Sequence, residues 1–225
     1  MIDIKNEIDS SDGKQYDCER AIISLTSWKA RINTVGLTIF SLLRHCSEFH
    51  IVLVLSLDEF PHKMNDMPND LLLLIKNKML EIIWVKTNYK SFKKVIFTMY
   101  KYNRTPIISA DDDCIYICNY AAELLNAYNA TQSIPINYRK SSFKYCTCGP
   151  ATIYPPRLYN YIIEKFSSLE APGVQDDGFF SNIFRDINVQ PLHISNKFPC
   201  YFHDETNPIT GSINVPEWRR DQQFH

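Results

Sequence analysis

The stretch that decides the fold is residues 106–113, which read PIISADDD. Its first five residues form a short apolar run typical of a buried strand, and three consecutive aspartates follow at once. Carboxylates in contact repel one another and raise one another's pKa, so such a run is tolerated in solvent, when protonated or around a cation. The segment therefore predicts a central strand that ends in an acidic loop.

Upstream of this strand, apolar runs alternate with helical patterns. Residues 21–25 predict a first strand, and 50–56 (HIVLVLS) are apolar almost throughout, as expected for a strand buried on both faces. Residues 81–86 predict a third strand. The segments between them have helical periodicity, and we expect Ser91 and Asn119 to cap the helices on either side of the aspartates. This alternation predicts an α/β fold with a mostly parallel sheet, helices on both faces and a ligand site at the strand ends.

The chain beyond about residue 130 is less regular. Strand patterns lie at 133–138, 149–154 and 189–194, and helical patterns at 158–166 and 175–187. The tail from Asn196 onward is rich in Pro, Asn, Asp and aromatic residues, and it predicts no regular element. With no internal repeat and no linker, we expect one domain over residues 1–225 with an irregular C-terminal part.

Composition excludes several classes of protein. The net charge is −1 over 225 residues, so the chain lacks the excess of positive charge that is typical of proteins that bind nucleic acid. No apolar run approaches the ~20 residues of a transmembrane helix, and the polar N-terminus lacks a signal-peptide pattern. The seven cysteines are odd in number and lack zinc spacing, so we expect reduced thiols in a cytoplasmic protein. Peripheral membrane attachment stays open.

Asp111 and Asp113 form a D-x-D pair. Alternate side chains of an extended segment point the same way, so both can serve one site while Asp112 faces elsewhere. Such oxygen ligands suit Mg²⁺ or Mn²⁺. Alternatively, the three aspartates only begin a turn. Their position after the fourth strand of a βα series favours the metal site.

A second acidic pair, Asp176 and Asp177, opens a predicted helix. Capping and compensation of the helix dipole are one explanation. Catalysis is the other, because an attacking hydroxyl must lose its proton and an aspartate can accept it. Both explanations remain open at this point.

Four segments carry a family resemblance: ISLTSWKARI (23–32), HIVLVLSLDEFP (50–61), SFKKV (91–95) and PIISADDDCIY (106–116). They resemble bacterial glycosyltransferases of the GT-A class that build capsule, lipooligosaccharide or O-antigen sugars, in which a D-x-D sequence holds a divalent metal against the donor diphosphate. The resemblance covers about the first 120 residues and is thinner beyond them. It implies a nucleotide-diphosphate-sugar donor. We expect a UDP-sugar foremost, an oligosaccharide or glycolipid acceptor and direct attack with inversion, while a retaining enzyme of this class would show much the same first half. The donor half would span about 20–120 and the acceptor half about 130–225.

The resemblance also implies roles for individual residues. Donor binding would fall to Ser24, Leu25, Thr26, Ser27, Arg31, Lys94, Asp111 and Asp112. The metal ligands would be Asp111, Asp113 and a late histidine, His203. The acceptor would lie beside Gly149, Pro150 and Tyr154, with Asp177 as catalytic base and Asp176 as an acceptor contact. Each role has a plainer alternative, such as an ordinary strand-to-helix turn for residues 24–27 or a solvated helix face for Lys94.

Three other classes remain as alternatives. A sugar nucleotidyltransferase would share the sheet and a metal-binding aspartate, but it should carry a glycine-rich basic loop after the first strand. Residues 24–31 (SLTSWKAR) contain no glycine. A phosphatase of the aspartyl-phosphate type would place its nucleophile after the first strand, and a non-catalytic sugar-binding module would not need three aspartates.

Overall fold

Helices and strands alternate along most of the chain. The computed structural model describes residues 1–13, 20–131, 135–139, 149–170, 176–195 and 199–203. The α-helices in these ranges are α1 (Ile4–Glu7), α2 (Val35–His45), α3 (Asn69–Lys76), α4 (Lys93–Lys101), α5 (Tyr120–Thr131), α6 (Tyr159–Ser167) and α7 (Asp176–Asp186). The strands are β1 (Ile8–Asp12), β2 (Ile22–Thr26), β3 (His50–Ser56), β4 (Glu81–Val85), β5 (Ile107–Ser109), β6 (Cys114–Tyr116), β7 (Ile136–Arg139), β8 (Thr152–Tyr154), β9 (Leu192–Ser195) and β10 (Cys200–Phe202). Short 3₁₀ turns lie at Lys63–Asp66, Lys90–Phe92 and Pro156–Leu158.

Eight strands form one sheet in the order β1-β4-β3-β2-β5-β8-β7-β9. The central strands β4, β3, β2 and β5 are parallel to one another. Antiparallel strands flank them, β1 beside β4 and β8 beside β5. The strand that precedes the three aspartates therefore lies in the middle of a mostly parallel sheet, and the predicted α/β fold class is confirmed.

Both faces of the sheet are covered by helices. Leu53 and Leu55 of β3 pack into the hydrophobic cluster that α2, α3 and α5 form on one face. Val52 and Val54 pack into the cluster of α4, α6 and α7 on the other. All seven residues of β3 are buried, which confirms a strand covered on both faces. Each such aliphatic side chain contributes about 1.5–3 kcal/mol through burial.

The N-terminal strand β1 was not predicted. Its sequence, IDSSD, has no apolar alternation, yet it pairs antiparallel with β4 at the edge of the sheet. The side chain of Asp12 accepts a hydrogen bond from the Trp84 indole N–H at 2.6 Å. Backbone pairing and this bond hold the strand, and neither leaves a periodic signal in the sequence.

One predicted helix cap is confirmed and one is wrong. The Asn119 side-chain oxygen accepts from the Ala122 N–H at 3.1 Å at the start of α5, as an N-cap does. Ser91 lies inside the 3₁₀ turn Lys90–Phe92, which runs directly into α4, so Phe92 is the N-cap residue. A serine before an apolar helical pattern does not show that the chain already forms a 3₁₀ turn at that position, so it did not mark the start of the α-helix.

A second, two-stranded sheet pairs β6 with β10 in antiparallel orientation. Cys114 and Tyr116 of β6 are buried, and Cys200 of β10 is buried with them. The tail expected to be irregular thus supplies a strand at Cys200–Phe202. Three-residue strands are too short to show a period of two, so sequence patterns miss them.

A buried polar network lies at the opposite edge of the sheet, where β3 and β4 begin. Glu81 is fully buried and accepts hydrogen bonds from His50 Nε2 at 2.6 Å, Lys101 Nζ at 2.6 Å and the Tyr102 hydroxyl at 2.5 Å. Burial acts to raise the pKa of Glu81, but these three bonds outweigh it and hold the pKa below its ordinary value. The network joins α4 to the amino ends of the strands.

The described cysteines Cys46, Cys114, Cys118 and Cys200 are free thiols. The remaining ones, Cys18, Cys146 and Cys148, lie outside the described residues. None of the helices in the described ranges combines the length and the apolar composition that crossing a bilayer requires.

Candidate active site

The carboxyl ends of β2 and β5 meet at one edge of the sheet. Ser24 is paired with Ser109 in parallel register. One residue later, the Ala110 N–H donates to the Ser24 carbonyl at 2.9 Å. The loop after β2 and the aspartates after β5 therefore leave the sheet side by side, as predicted. Ligands of open parallel sheets bind at this edge.

Two of the three aspartates share one counter-ion, Arg31. Its Nη1 lies 2.9 Å from Asp112 Oδ1 and 3.2 Å from Asp113 Oδ2. The Ser27 hydroxyl donates to the other oxygen of Asp112 at 2.7 Å. Burial raises the pKa of Asp112, while Arg31 and Ser27 oppose that rise because they stabilise the ionised carboxylate. Arg31 is itself only 4% exposed, so the structure uses it as an internal cation.

The first aspartate has a different counter-ion, Lys94. The Lys94 ammonium donates a hydrogen bond to Asp111 Oδ1. Lys94 is buried in the first turn of α4, with 9% of its side chain exposed, so it does not occupy a solvated helix face. Lys94 thus balances the charge of Asp111, as Arg31 balances that of Asp112 and Asp113.

Asp111 and Asp113 lie on the same side of their segment. Among the described residues, their carboxylate oxygens and the Cys114 sulfur form a group within 4.8 Å of one another that could hold a metal ion. Burial raises the pKa of the Cys114 thiol well above its ordinary value, so the thiol stays neutral and is a poor ligand. The donor set therefore fits a hard cation such as Mg²⁺ or Mn²⁺ held by two carboxylates.

His203 reaches the acidic loop in a way that the sequence did not predict. Its backbone N–H donates to the Asp113 carbonyl at 2.8 Å. The Thr38 hydroxyl donates to the Asp112 carbonyl at 2.9 Å and lies 3.2 Å from His203 Nε2. Thr38 therefore links the His203 ring to the backbone of the acidic loop. His203 lies outside the group of possible ligand atoms that Asp111, Asp113 and Cys114 form among the described residues.

The predicted nucleoside loop uses most of its side chains internally. The Ser24 hydroxyl donates to the Lys94 carbonyl at 2.5 Å, and Leu25 is fully buried in the core. The Thr26 hydroxyl donates to the Val54 carbonyl at 2.6 Å. A donor bound here would therefore contact mainly backbone atoms and not these side chains.

A second buried lysine, Lys93, was missed by the sequence analysis. Its ammonium lies 2.8 Å from Asn88 Oδ1 and 3.1 Å from Glu59 Oε2 at the ends of β3 and β4. Lys93 is 1% exposed, and burial lowers the pKa of its ammonium even though Glu59 acts to raise it. Helix α4 thus begins with Lys93 and Lys94 side by side. The only sequence signal for Lys93 was this lysine pair at the start of a predicted helix.

Gly149 and Pro150, predicted on the acceptor side, are tied to the acidic loop. The Tyr116 hydroxyl accepts from the Asp111 N–H at 3.0 Å and donates to the Pro150 carbonyl at 2.8 Å. The Ser109 hydroxyl donates to the Gly149 carbonyl at 2.8 Å. These bonds bring the start of the second half of the chain against the D-x-D segment.

Tyr154, the third residue predicted to contact the acceptor, lies in the core. It is fully buried, and its ring packs 5.3 Å from that of Phe180 in α7. It therefore has no exposed surface for an acceptor. An aromatic residue beside glycine and prolines gives no indication of which face of the sheet it occupies, which is why the sequence misplaced it.

Of the two aspartates that open α7, one is buried and the other is exposed. Asp176 is 8% exposed, and its Oδ2 lies 3.9 Å from Lys94 Nζ. Asp177, one residue later, is exposed. Successive side chains on a helix diverge by about 100°, so only one of the pair can face the acidic loop. The structure brings Asp176 to the loop and leaves Asp177 accessible from solvent.

Comparison with known proteins agrees with this architecture. No protein-family model and no curated protein matches the sequence. Among solved structures, S. aureus TarS 1–349 is similar with a TM-score of 0.55 at 15% identity, over 82% of this chain and 60% of that one. A cytidylyltransferase from Leptospira borgpetersenii is similar with a TM-score of 0.54 at 10% identity, over 80% of this chain and 77% of that one. At such identities the likeness shows the fold alone, and the chain has a GT-A-like α/β fold.

Proposed function

We propose that the protein is a metal-dependent glycosyltransferase that moves a sugar from a nucleotide-diphosphate sugar to a saccharide hydroxyl. The observation that carries this proposal is the pair Asp111 and Asp113, whose oxygens lie within 4.8 Å of each other at the carboxyl edge of the sheet. A UDP-sugar is the favoured donor, and an oligosaccharide or glycolipid is the favoured acceptor.

The charges around the loop support a diphosphate ligand. A divalent cation on Asp111 and Asp113 would neutralise charge on the departing nucleoside diphosphate. Lys93 and Lys94 add two positive charges in the first turn of α4, where the helix dipole also favours an anion. Arg31 orients Asp113 through the 3.2 Å contact.

Asp177 is the proposed catalytic base. Its exposed position in the first turn of α7 lets an acceptor hydroxyl reach it from solvent. The hydroxyl proton passes to the carboxylate as the oxygen bonds to the sugar carbon, and the nucleoside diphosphate leaves from the opposite face, with inversion. Asp176 is too buried to contact an acceptor directly, so we assign it a positioning role beside Lys94.

The acceptor would lie beside Gly149 and Pro150, which are partly exposed and joined to Asp111 through Tyr116. We place the reaction in surface-glycan synthesis, in the cytoplasm or at the inner face of the membrane, and treat residues 1–225 as one domain.

A sugar nucleotidyltransferase is the second candidate, favoured by the similarity to the Leptospira cytidylyltransferase. In that reaction a nucleoside triphosphate and a sugar phosphate would yield a nucleotide sugar and pyrophosphate. The segment 24–31 argues against it, because it contains no glycine that would let the backbone approach a bound triphosphate closely.

Metal-dependent thermal stabilisation tests the proposal. The protein is mixed with UDP-, GDP- and CMP-sugars or with CTP, each in Mn²⁺ and in EDTA. A ligand bound only by the native state raises the melting temperature by mass action. We expect one nucleotide-diphosphate sugar to stabilise the protein in Mn²⁺ and not in EDTA, and Asp113→Ala to abolish the effect. Asp186→Ala, an exposed aspartate at the far end of α7, is the matched control.

Turnover distinguishes the candidates. We expect slow, Mn²⁺-dependent hydrolysis of the stabilising sugar nucleotide, lowered by orders of magnitude in Asp113→Ala. Stabilisation by CTP and by no sugar nucleotide, with release of pyrophosphate once a sugar phosphate is added, would favour the nucleotidyltransferase. Full activity in EDTA would refute the metal role.

A further inference from the structure

The ammonium of Lys94 lies between two carboxylates that belong to different parts of the chain. It donates a hydrogen bond to Asp111 Oδ1 at the end of the central strand. On its other side lies Asp176 Oδ2, at 3.9 Å, in the first turn of α7. The side chains of Lys94 and Asp176 are 9% and 12% exposed, so water screens this arrangement little.

The oxygen of Asp176 that faces Lys94 lacks a hydrogen bond. Asp176 Oδ2 is buried, and in the described part of the chain no donor lies within bonding distance of it. A buried acceptor in this state is costly and uncommon in folded proteins. The Lys94 ammonium, 3.9 Å away, could bond to this oxygen after a shift of about 1 Å, since such bonds are ~2.8 Å long.

We propose that Lys94 is a displaceable counter-ion that moves from Asp111 to Asp176 when a divalent cation binds to the acidic loop. The inference rests on the proposed metal site. An ammonium and a metal ion on the same carboxylate repel each other, so the two compete for Asp111. The move gives Asp176 the hydrogen bond that it lacks and frees Asp111 to ligate.

This exchange joins the two halves of the site. Before the cation binds, Lys94 neutralises Asp111, and cation affinity is lowered because the ammonium must leave. Afterwards the same ammonium bridges to the first turn of α7, which carries Asp177. Cation binding would therefore also position the segment that contains the proposed base.

Titration with Mn²⁺ in the absence of nucleotide tests the inference, with bound Mn²⁺ followed by electron paramagnetic resonance. We expect Lys94→Met to bind Mn²⁺ about tenfold or more tightly than the wild type, because an opposite charge in contact shifts carboxylate affinities by about that factor. Lys94→Arg, which keeps the charge, should bind as weakly as the wild type. Lys93→Met is the matched control, since it removes a buried ammonium from the same helical turn that pairs with Glu59.

A double-mutant cycle separates the exchange from a general effect of charge. If Asp176 receives the ammonium, Asp176→Asn weakens Mn²⁺ binding when Lys94 is present and leaves it unchanged in the Lys94→Met background. An equal loss in both backgrounds would mean that Asp176 acts only through its field, and the exchange would be refuted. Mn²⁺ binding that is equal in the wild type and in folded Lys94→Met also refutes it, while leaving the proposed function intact. No Mn²⁺ binding by any variant, with or without a nucleotide diphosphate, refutes both.

Discussion

Replacing Arg31 with methionine should destabilise the ligand-free protein. The guanidinium contacts Asp112 at 2.9 Å and Asp113 at 3.2 Å, and the three side chains are 5%, 11% and 8% exposed. Methionine keeps much of the volume but removes the charge, so it leaves two nearly buried carboxylates without their cation. If Arg31 were instead a donor contact reaching into solvent, the same substitution would lower nucleotide affinity and spare stability.

The expected magnitude follows from these contacts. Removing one partner of a buried ion pair costs about 3–5 kcal/mol. Ser27 still bonds to Asp112, and the loop lies near the surface, so we expect the lower end, about 3 kcal/mol. For a chain of this length that corresponds to a fall in melting temperature of about 6–12 °C. Lysine at position 31 restores a charge with fewer donors and should recover part of the loss.

Chemical denaturation and thermal melts of the two Arg31 variants, without metal or nucleotide, measure the effect. Arg44→Met, at an exposed position in the last turn of α2, is the control and should change the free energy of unfolding by no more than about 0.5 kcal/mol. A loss below about 1 kcal/mol for Arg31→Met would refute the counter-ion assignment, because that is the range of an exposed ion pair.

Further predictions concern the proposed base, Asp177, and the buried network around Glu81. Asp177→Asn should remove most of kcat while leaving donor affinity and melting temperature nearly unchanged, because asparagine caps a helix as well as aspartate does; a lower melting temperature with persistent turnover would make the carboxylate a cap. Glu81→Gln should cost about 3 kcal/mol, since Lys101 and His50 lose a buried carboxylate. The pKa of Glu81 in the folded protein lies below its ordinary value of 4.5. The ionised carboxylate therefore stabilises the folded protein above pH 4.5, and this stabilisation is lost as the pH falls through the folded pKa. In that acidic range the free energy of unfolding of Glu81→Gln should vary less with pH than that of the wild type.

The parts of the fold that the sequence could predict are those with a strong local pattern. The apolar run at His50–Ser56 has only one stable environment, the middle of a covered sheet, and it lies there. The alternation of side chains likewise predicted that Asp111 and Asp113 share a side. β1 escaped because an edge strand is held by backbone bonds that any sequence can make, and IDSSD offers no other signal.

The contacts of the site were harder to predict because they join distant positions. Arg31 meets Asp112 across 81 residues, and Thr38 meets His203 across 165. Which buried cation faces which carboxylate is decided by how the helices pack on the sheet, and a local pattern contains no such information. Arg31 was therefore predicted to be a ligand contact, whereas the structure uses it to neutralise the acidic loop.

The pairing of β6 with β10 affects the order in which the protein can assemble. The D-x-D loop is synthesised early, but the strand beside it, Cys200–Phe202, and the His203 N–H that bonds to Asp113 come about ninety residues later. Contacts of such long sequence separation form late, because the intervening chain must be closed into a loop first. The central sheet can form while the chain is still being made, whereas the acidic loop takes its final geometry only after residue 203 is available. If the proposed metal site exists, this order predicts that Mn²⁺ binding recovers more slowly after refolding than secondary structure does.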